Sequence, residues 1–154
     1  MSTANEKIVE VLNDLILINS DRSTAYEKAM KQAAGDDADV IRLFKNMAAN
    51  SRKYLYELAG HIDPSGQELF KNIPFTNGKS YAVWANARTN FKINDRQALL
   101  ASSGICEVAI EKAYDEALKE EIPEEIKQVI AQQKNELKKN REKIKRLHAM
   151  QQTV

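Results

Sequence analysis

Cysteine, proline, glycine and histidine are all scarce in this chain, and each scarcity removes a class of explanation. One residue of 154 is a cysteine, Cys106, so neither an intrachain disulfide nor a cluster of zinc-binding thiolates can form. That fits a reducing compartment. With 3 prolines and 5 glycines there is room for long helices and little support for a turn-rich all-β chain. Only His61 and His148 can serve as imidazole ligands or bases. Neither sign of charge dominates: 23 basic and 22 acidic residues leave a net charge of +1, with no global pull toward nucleic acid or anionic lipid. No apolar run nears the roughly 18 residues of a membrane span. Val11–Ile18 is apolar, but Asn13 and Asp14 interrupt it, and no small-residue cleavage site follows as a signal peptide requires. The expectation is a cytoplasmic protein that binds neither membrane nor nucleic acid.

What the chain does have is helical periodicity. Apolar residues recur at steps of three and four, the spacing that places them on one helical face. A first long helix is predicted over about 5–33, with Ser2 or Thr3 as cap and Ile8, Leu12, Leu15, Asn19, Arg22, Tyr26, Ala29 and Ala33 on its stripe. Gly35 stops it. Asp36, Asp37 or Asp39 caps a second helix over 38–61, with the stripe Val40, Phe44, Met47, Ser51, Tyr54, Leu58 and Ile62. A third, over 95–120, starts at Asn94 or Asp95 and carries Leu99, Ser103, Cys106, Ile110, Ala113 and Ala117. Gly104 sits inside it at a cost of ~1 kcal/mol against alanine, where a small residue can admit a neighbouring side chain. A fourth, over 123–150, opens at Pro123 with Glu124 and Glu125 behind it and carries Ile126, Ile130, Gln133, Leu137, Asn140, Ile144 and Leu147.

Between the second and third helices, residues 62–94 form a long crossover. It holds a short helix over 80–91 anchored by Tyr81, Trp84 and Phe91, and Leu69, Phe70, Ile73 and Phe75 give its irregular part something to pack with. Two hairpins joined by one long crossover describe a ferritin-like four-helix bundle. The whole of 1–154 reads as one all-α domain.

Each long stripe turns polar near its middle. Asn19, Ser51, Ser103, Gln133 and Asn140 therefore form a predicted central polar layer, and Tyr26, Tyr54 and Tyr114 stand where they can hydrogen-bond into it. Carboxylate-bridged di-iron sites live at that height, built from glutamates and Glu-x-x-His pairs. The pairs are missing: Leu58 and Lys145 stand three residues before His61 and His148. Inward carboxylate candidates for an iron or manganese ion shrink to Glu107, Glu136 and Asp21. The expectation is a metal-free, cofactor-free layer of hydrogen bonds that fixes helix register. In it Glu107 points toward Gln133 or Glu136.

Several segments also resemble a known family: LNDL, NSDR and AYEKA in the first helix, NDRQALL and EVAIEKAYDEAL in the third, and IPEEIKQVI at the fourth. Their order and spacing, from about Val9 to Leu147, resemble a bacterial family of ferritin-like four-helix bundles designated a domain of unknown function. The resemblance implies a ferritin-like fold, a cytoplasmic setting and, for some relatives, a link to stress response. It implies no established reaction. The family pattern carries acidic residues where this chain has Leu17 and near Gly104, and a histidine where Arg141 stands. Those departures lower any metal expectation further.

Other features have plain structural explanations. The basic run Lys138, Lys139, Arg141, Lys143, Lys145 and Arg146 complements the negative pole of the fourth helix, with no aromatic interleaved for base stacking. Cys106 lies on the core stripe as a buried thiol. His61 suits the C-terminal end of the second helix. No catalytic motif is present, so a non-enzymatic protein is expected, acting through its surface or as a homo-oligomer. A metal-binding bundle and a binder of anionic partners through the basic end are the alternatives.

Overall fold

Among the described residues, apolar periodicity is realised as five helices. A computed structural model describes residues 4–32, 38–62, 78–89, 91 and 96–152. Among them are α1 (Ala4–Gln32), α2 (Ala38–Ala59), α3 (Lys79–Arg88), α4 (Arg96–Leu118) and α5 (Glu124–Gln152), and no strand. The four long helices stand where the stripes place them. The short one ends at Arg88 rather than at Phe91, after which the Phe91 N–H donates to the Arg88 carbonyl at 3.1 Å. The caps Ser2, Thr3, Asp36, Asp37, Asn94 and Asp95 lie outside the described residues, as do Ala33, Gly35, Leu69, Phe70, Ile73 and Phe75. At α5 the Pro123 carbonyl accepts from the N–H groups of Ile126 and Lys127, both at 3.0 Å. Glu124 and Glu125 then occupy the first turn, where the dipole favours acidic residues.

The helices pack pairwise. α1 lies along α2 and α4 along α5; α1 also meets α4, α2 meets α5, and α3 rests on α4 and α1. The buried side chains fall into two apolar clusters. One holds Leu12, Leu15 and Ile18 of α1 with Leu58, Trp84, Ile110, Ile130 and Leu137. The other holds Tyr26 and Ala29 with Phe44, Met47, Leu99, Leu100 and Ile144. Each fully buried leucine or isoleucine contributes about 2 kcal/mol of transfer free energy. Along every long helix the boundary between the clusters is polar: Asn19 and Arg22 on α1, Ser51 on α2, Ser103 and Glu107 on α4, Asn140 on α5, all buried.

Two carboxylates of α1 dock α3. The Gly78 N–H, at the start of α3, donates to Asp14 Oδ1 at 3.2 Å. Seven residues along the same face of α1, Asp21 accepts from the Trp84 indole N–H at 2.8 Å and pairs with Arg88 at 3.6 Å. Asp14 thus does for α3 what a capping side chain does within one helix. Burial raises its carboxyl above the ordinary value, against the pull of the Gly78 and Tyr81 N–H groups.

Candidate functional site

The centre is built around a charge pair that the stripe of α1 made possible. Arg22 sits three residues after Asn19 and four before Tyr26, so all three face inward together. The Arg22 guanidinium meets Glu107 of α4 in a bidentate pair: Nε donates to Oε2 at 2.9 Å and Nη2 to Oε1 at 2.7 Å. Both side chains are 0% exposed. Two buried charges are tolerable only if their remaining donors and acceptors are also met. Here they are. Arg22 Nη1 donates to the Met47 carbonyl at 3.0 Å and to Ser51 Oγ at 2.7 Å, and the Tyr26 hydroxyl donates to Glu107 Oε2 at 2.7 Å. The guanidinium also lies 5.2 Å from the centre of the Tyr26 ring, within cation–π range. Tyr26 is in turn stacked on Phe44 at 4.9 Å.

From the pair, hydrogen bonds run on through the remaining helices. Ser51 Oγ donates to Asn19 Oδ1 at 2.9 Å. Asn19 Nδ2 donates to the Leu15 carbonyl and to the Tyr114 hydroxyl, both at 2.8 Å. The Tyr114 hydroxyl donates to Gln133 Oε1 at 2.7 Å, and Gln133 Nε2 reaches the Tyr54 carbonyl and Glu57 Oε1, each at 3.3 Å. Hydroxyls alternate acceptor and donor roles along the chain, which is what lets a buried network close without stranded groups. It joins α1, α2, α4 and α5.

The electrostatics follow from burial. Desolvation works to lower the Arg22 pKa, but the charge and bonds of Glu107 outweigh it and hold Arg22 protonated. Burial, then the neighbouring Glu107, keeps the Tyr26 hydroxyl protonated far above its ordinary range. Burial also raises Tyr54, beside Glu136, and Tyr114. The Cys106 thiol is pushed up to about 12, by burial first and Glu107 second. A thiol so protonated is a poor nucleophile, and its Sγ contacts the Ala87 carbonyl at 3.7 Å.

Against the sequence reading, Asn19, Ser51 and Gln133 are brought together, Asn19 and Ser51 directly and Gln133 through Tyr114. Ser103 and Asn140 are buried too, but Ser103 Oγ and Asn140 Nδ2 find no partner among the described residues. Glu107 turns to Arg22 and Tyr26 of α1 rather than to Gln133 or Glu136. Asp21 faces Trp84 and Arg88, away from the centre. Among the described residues no three His, Cys, Asp or Glu side chains are grouped to hold a metal ion. The residue sequence reasoning missed is Arg22. It stood on the α1 stripe beside the polar layer, and an arginine at a core position is a signal that a buried acid lies opposite.

Residues 7–120, nearly three-quarters of the chain, match the model of the family described as Domain of unknown function (DUF2383). The chain belongs to that family. The matched span carries Arg22, Tyr26, Ser51, Glu107 and Tyr114, while Gln133 of α5 lies beyond it. No curated protein matches the chain.

Proposed function

We propose that this DUF2383 chain is a non-enzymatic, ferritin-like four-helix bundle whose centre is closed by the Arg22–Glu107 pair. It acts through its surface, by interaction or self-association, in a cytoplasmic and stress-associated setting. The observation that carries this is the bidentate pair itself, with both side chains wholly buried. A guanidinium already supplies the positive charge that Glu107 needs. A dinuclear site would require several carboxylates free to neutralise hard cations. The donor set here does not fit one: Glu107 is committed to Arg22 and Tyr26, and Asp21 to Trp84 and Arg88. Glu136 is a charged neighbour of Tyr54, whose buried hydroxyl has no hydrogen-bond partner among the described residues. The pairwise packing of four long helices with a short helix ahead of α4 supports the ferritin-like topology.

Loading with ferrous iron or manganese tests the reading. After gel filtration the chain is expected to retain far less than one ion per molecule and not to accelerate iron oxidation. Retention of one ion or more per chain overturns it.

A further inference from the structure

Two buried polar groups of the central belt stand outside its network. The Tyr54 hydroxyl and Asn140 Nδ2 have no hydrogen-bond partner among the described residues, although Tyr54 is 0% exposed and Asn140 5%. Unmet groups at such depth are rare, because each gives up the bonds that it makes to water in the unfolded chain. Tyr54 differs in this from Tyr26 and Tyr114, whose hydroxyls both donate across the helices.

The two groups stand opposite each other. α2 and α5 run antiparallel: Glu57 and the Tyr54 carbonyl meet Gln133, while Met47, nearer the start of α2, shares a cluster with Ile144, nearer the end of α5. This register sets Tyr54 level with Glu136 and the turn before Tyr54 level with Asn140. Helical side chains lean toward the N-terminus of their own helix. The Tyr54 ring therefore reaches back toward the level of Asn140, and the Asn140 amide leans to meet it. Glu136, one turn before Asn140 and half-buried, is a charged neighbour of the Tyr54 hydroxyl, as is Arg22. Ser103 is not at this place: Gly104 beside it packs near Ile144, one turn past Asn140.

We infer that a water molecule binds between Tyr54 and Asn140 as a fixed part of the centre. The Tyr54 hydroxyl and Asn140 Nδ2 both donate to its oxygen, and one of its own hydrogens is donated to the Glu136 carboxylate. A buried water needs two to four polar partners, donors and acceptors together, and these three side chains supply them. Tyr54 and Asn140 make no direct bond; a bridging water is nearly as good as one. It ties α2 to α5 a second time, one to two turns along α5 from Gln133.

The inference goes beyond the reading of the centre as metal-free, and the two fail separately. A Tyr54 without a water leaves that reading standing, and an ion retained elsewhere leaves the water standing. A high-resolution crystal structure of the full chain should show an ordered water within hydrogen-bond distance of both Tyr54 Oη and Asn140 Nδ2. Urea unfolding gives the test in solution. Tyr54→Phe removes the hydroxyl and keeps the ring. A bridged hydroxyl is lost with its bonds, so the unfolding midpoint should fall; a stranded hydroxyl would be relieved and the midpoint would rise. Either Tyr54→Phe or Asn140→Ala dissolves the bridge, so the two losses together should be smaller than their sum. A Tyr54 hydroxyl bonded directly to Glu136, an unchanged or higher midpoint in Tyr54→Phe, or losses that simply add would overturn the inference. So would an anomalous signal at the position, which would give it to a metal ion.

Discussion

Ser51 and Ser103 are both wholly buried hydroxyls near the middle of their helices, and they differ only in company. Ser51 accepts from Arg22 and donates to Asn19. Ser103 Oγ has no partner among the described residues. Truncation of Ser51 strands a donor of a buried charge, so Ser51→Ala should cost about 1–3 kcal/mol in urea unfolding. Ser103→Ala removes an unsatisfied group and should be neutral or slightly stabilising. The tyrosines give a second expectation at this scale. Tyr26, Tyr54 and Tyr114 are held protonated above their ordinary value of 10.0, and Cys106 above 9.0. A raised folded-state pKa gives stability that is whole below the unfolded value and lost as pH rises past it. Stability should therefore be flat between about pH 7 and pH 9 and fall steeply above pH 10, by about 1.4 kcal/mol per pH unit for each group the unfolded chain ionises and the folded chain does not. Melting temperature against pH, with tyrosinate absorbance, checks this; ionisation of all five tyrosines while the helices persist would contradict it.

α3 shows what an element's sequence conceals. Its own pattern announces a short helix with Trp84 as anchor, and Trp84 is buried. What docks it is written elsewhere, at Asp14 and Asp21 of α1. Two acids seven residues apart on one helix share a face, but nothing in the spacing says which N–H groups they meet across some sixty residues of chain. Gly78 has a definite role there. Its φ of −72° is open to any residue, but a Cβ would overlap the Asp14 carboxylate. Gly78→Ala should detach the start of α3 at a cost of about 1–3 kcal/mol. Hydrogen exchange should then quicken over 79–88 and the Trp84 fluorescence should shift to the red, with α5 exchange unchanged. Unaltered exchange in α3 would show that the capping contact contributes nothing.

Across the whole molecule, the helices and the polar belt were legible because both are local patterns: periodicity sets each stripe, and a polar residue interrupts it in place. Pairing across the belt was not legible. Asn19, bonded directly to Ser51, needed Tyr114 to reach Gln133, and Glu107 needed Arg22, 85 positions away in sequence. Which acid an inward arginine meets depends on how the α1–α2 hairpin seats on the α4–α5 hairpin, a relation no stripe encodes. Since Arg22 belongs to one hairpin and Glu107 to the other, their pair is a lock between halves of the molecule. The double-mutant cycle of Arg22→Met and Glu107→Met in urea unfolding tests that lock. Each single change leaves a buried charge alone and should cost about 3–5 kcal/mol, whereas the double change should cost far less than the two together. Losses that simply add, or a single change costing under about 1 kcal/mol, would mean that the pair does not hold the centre.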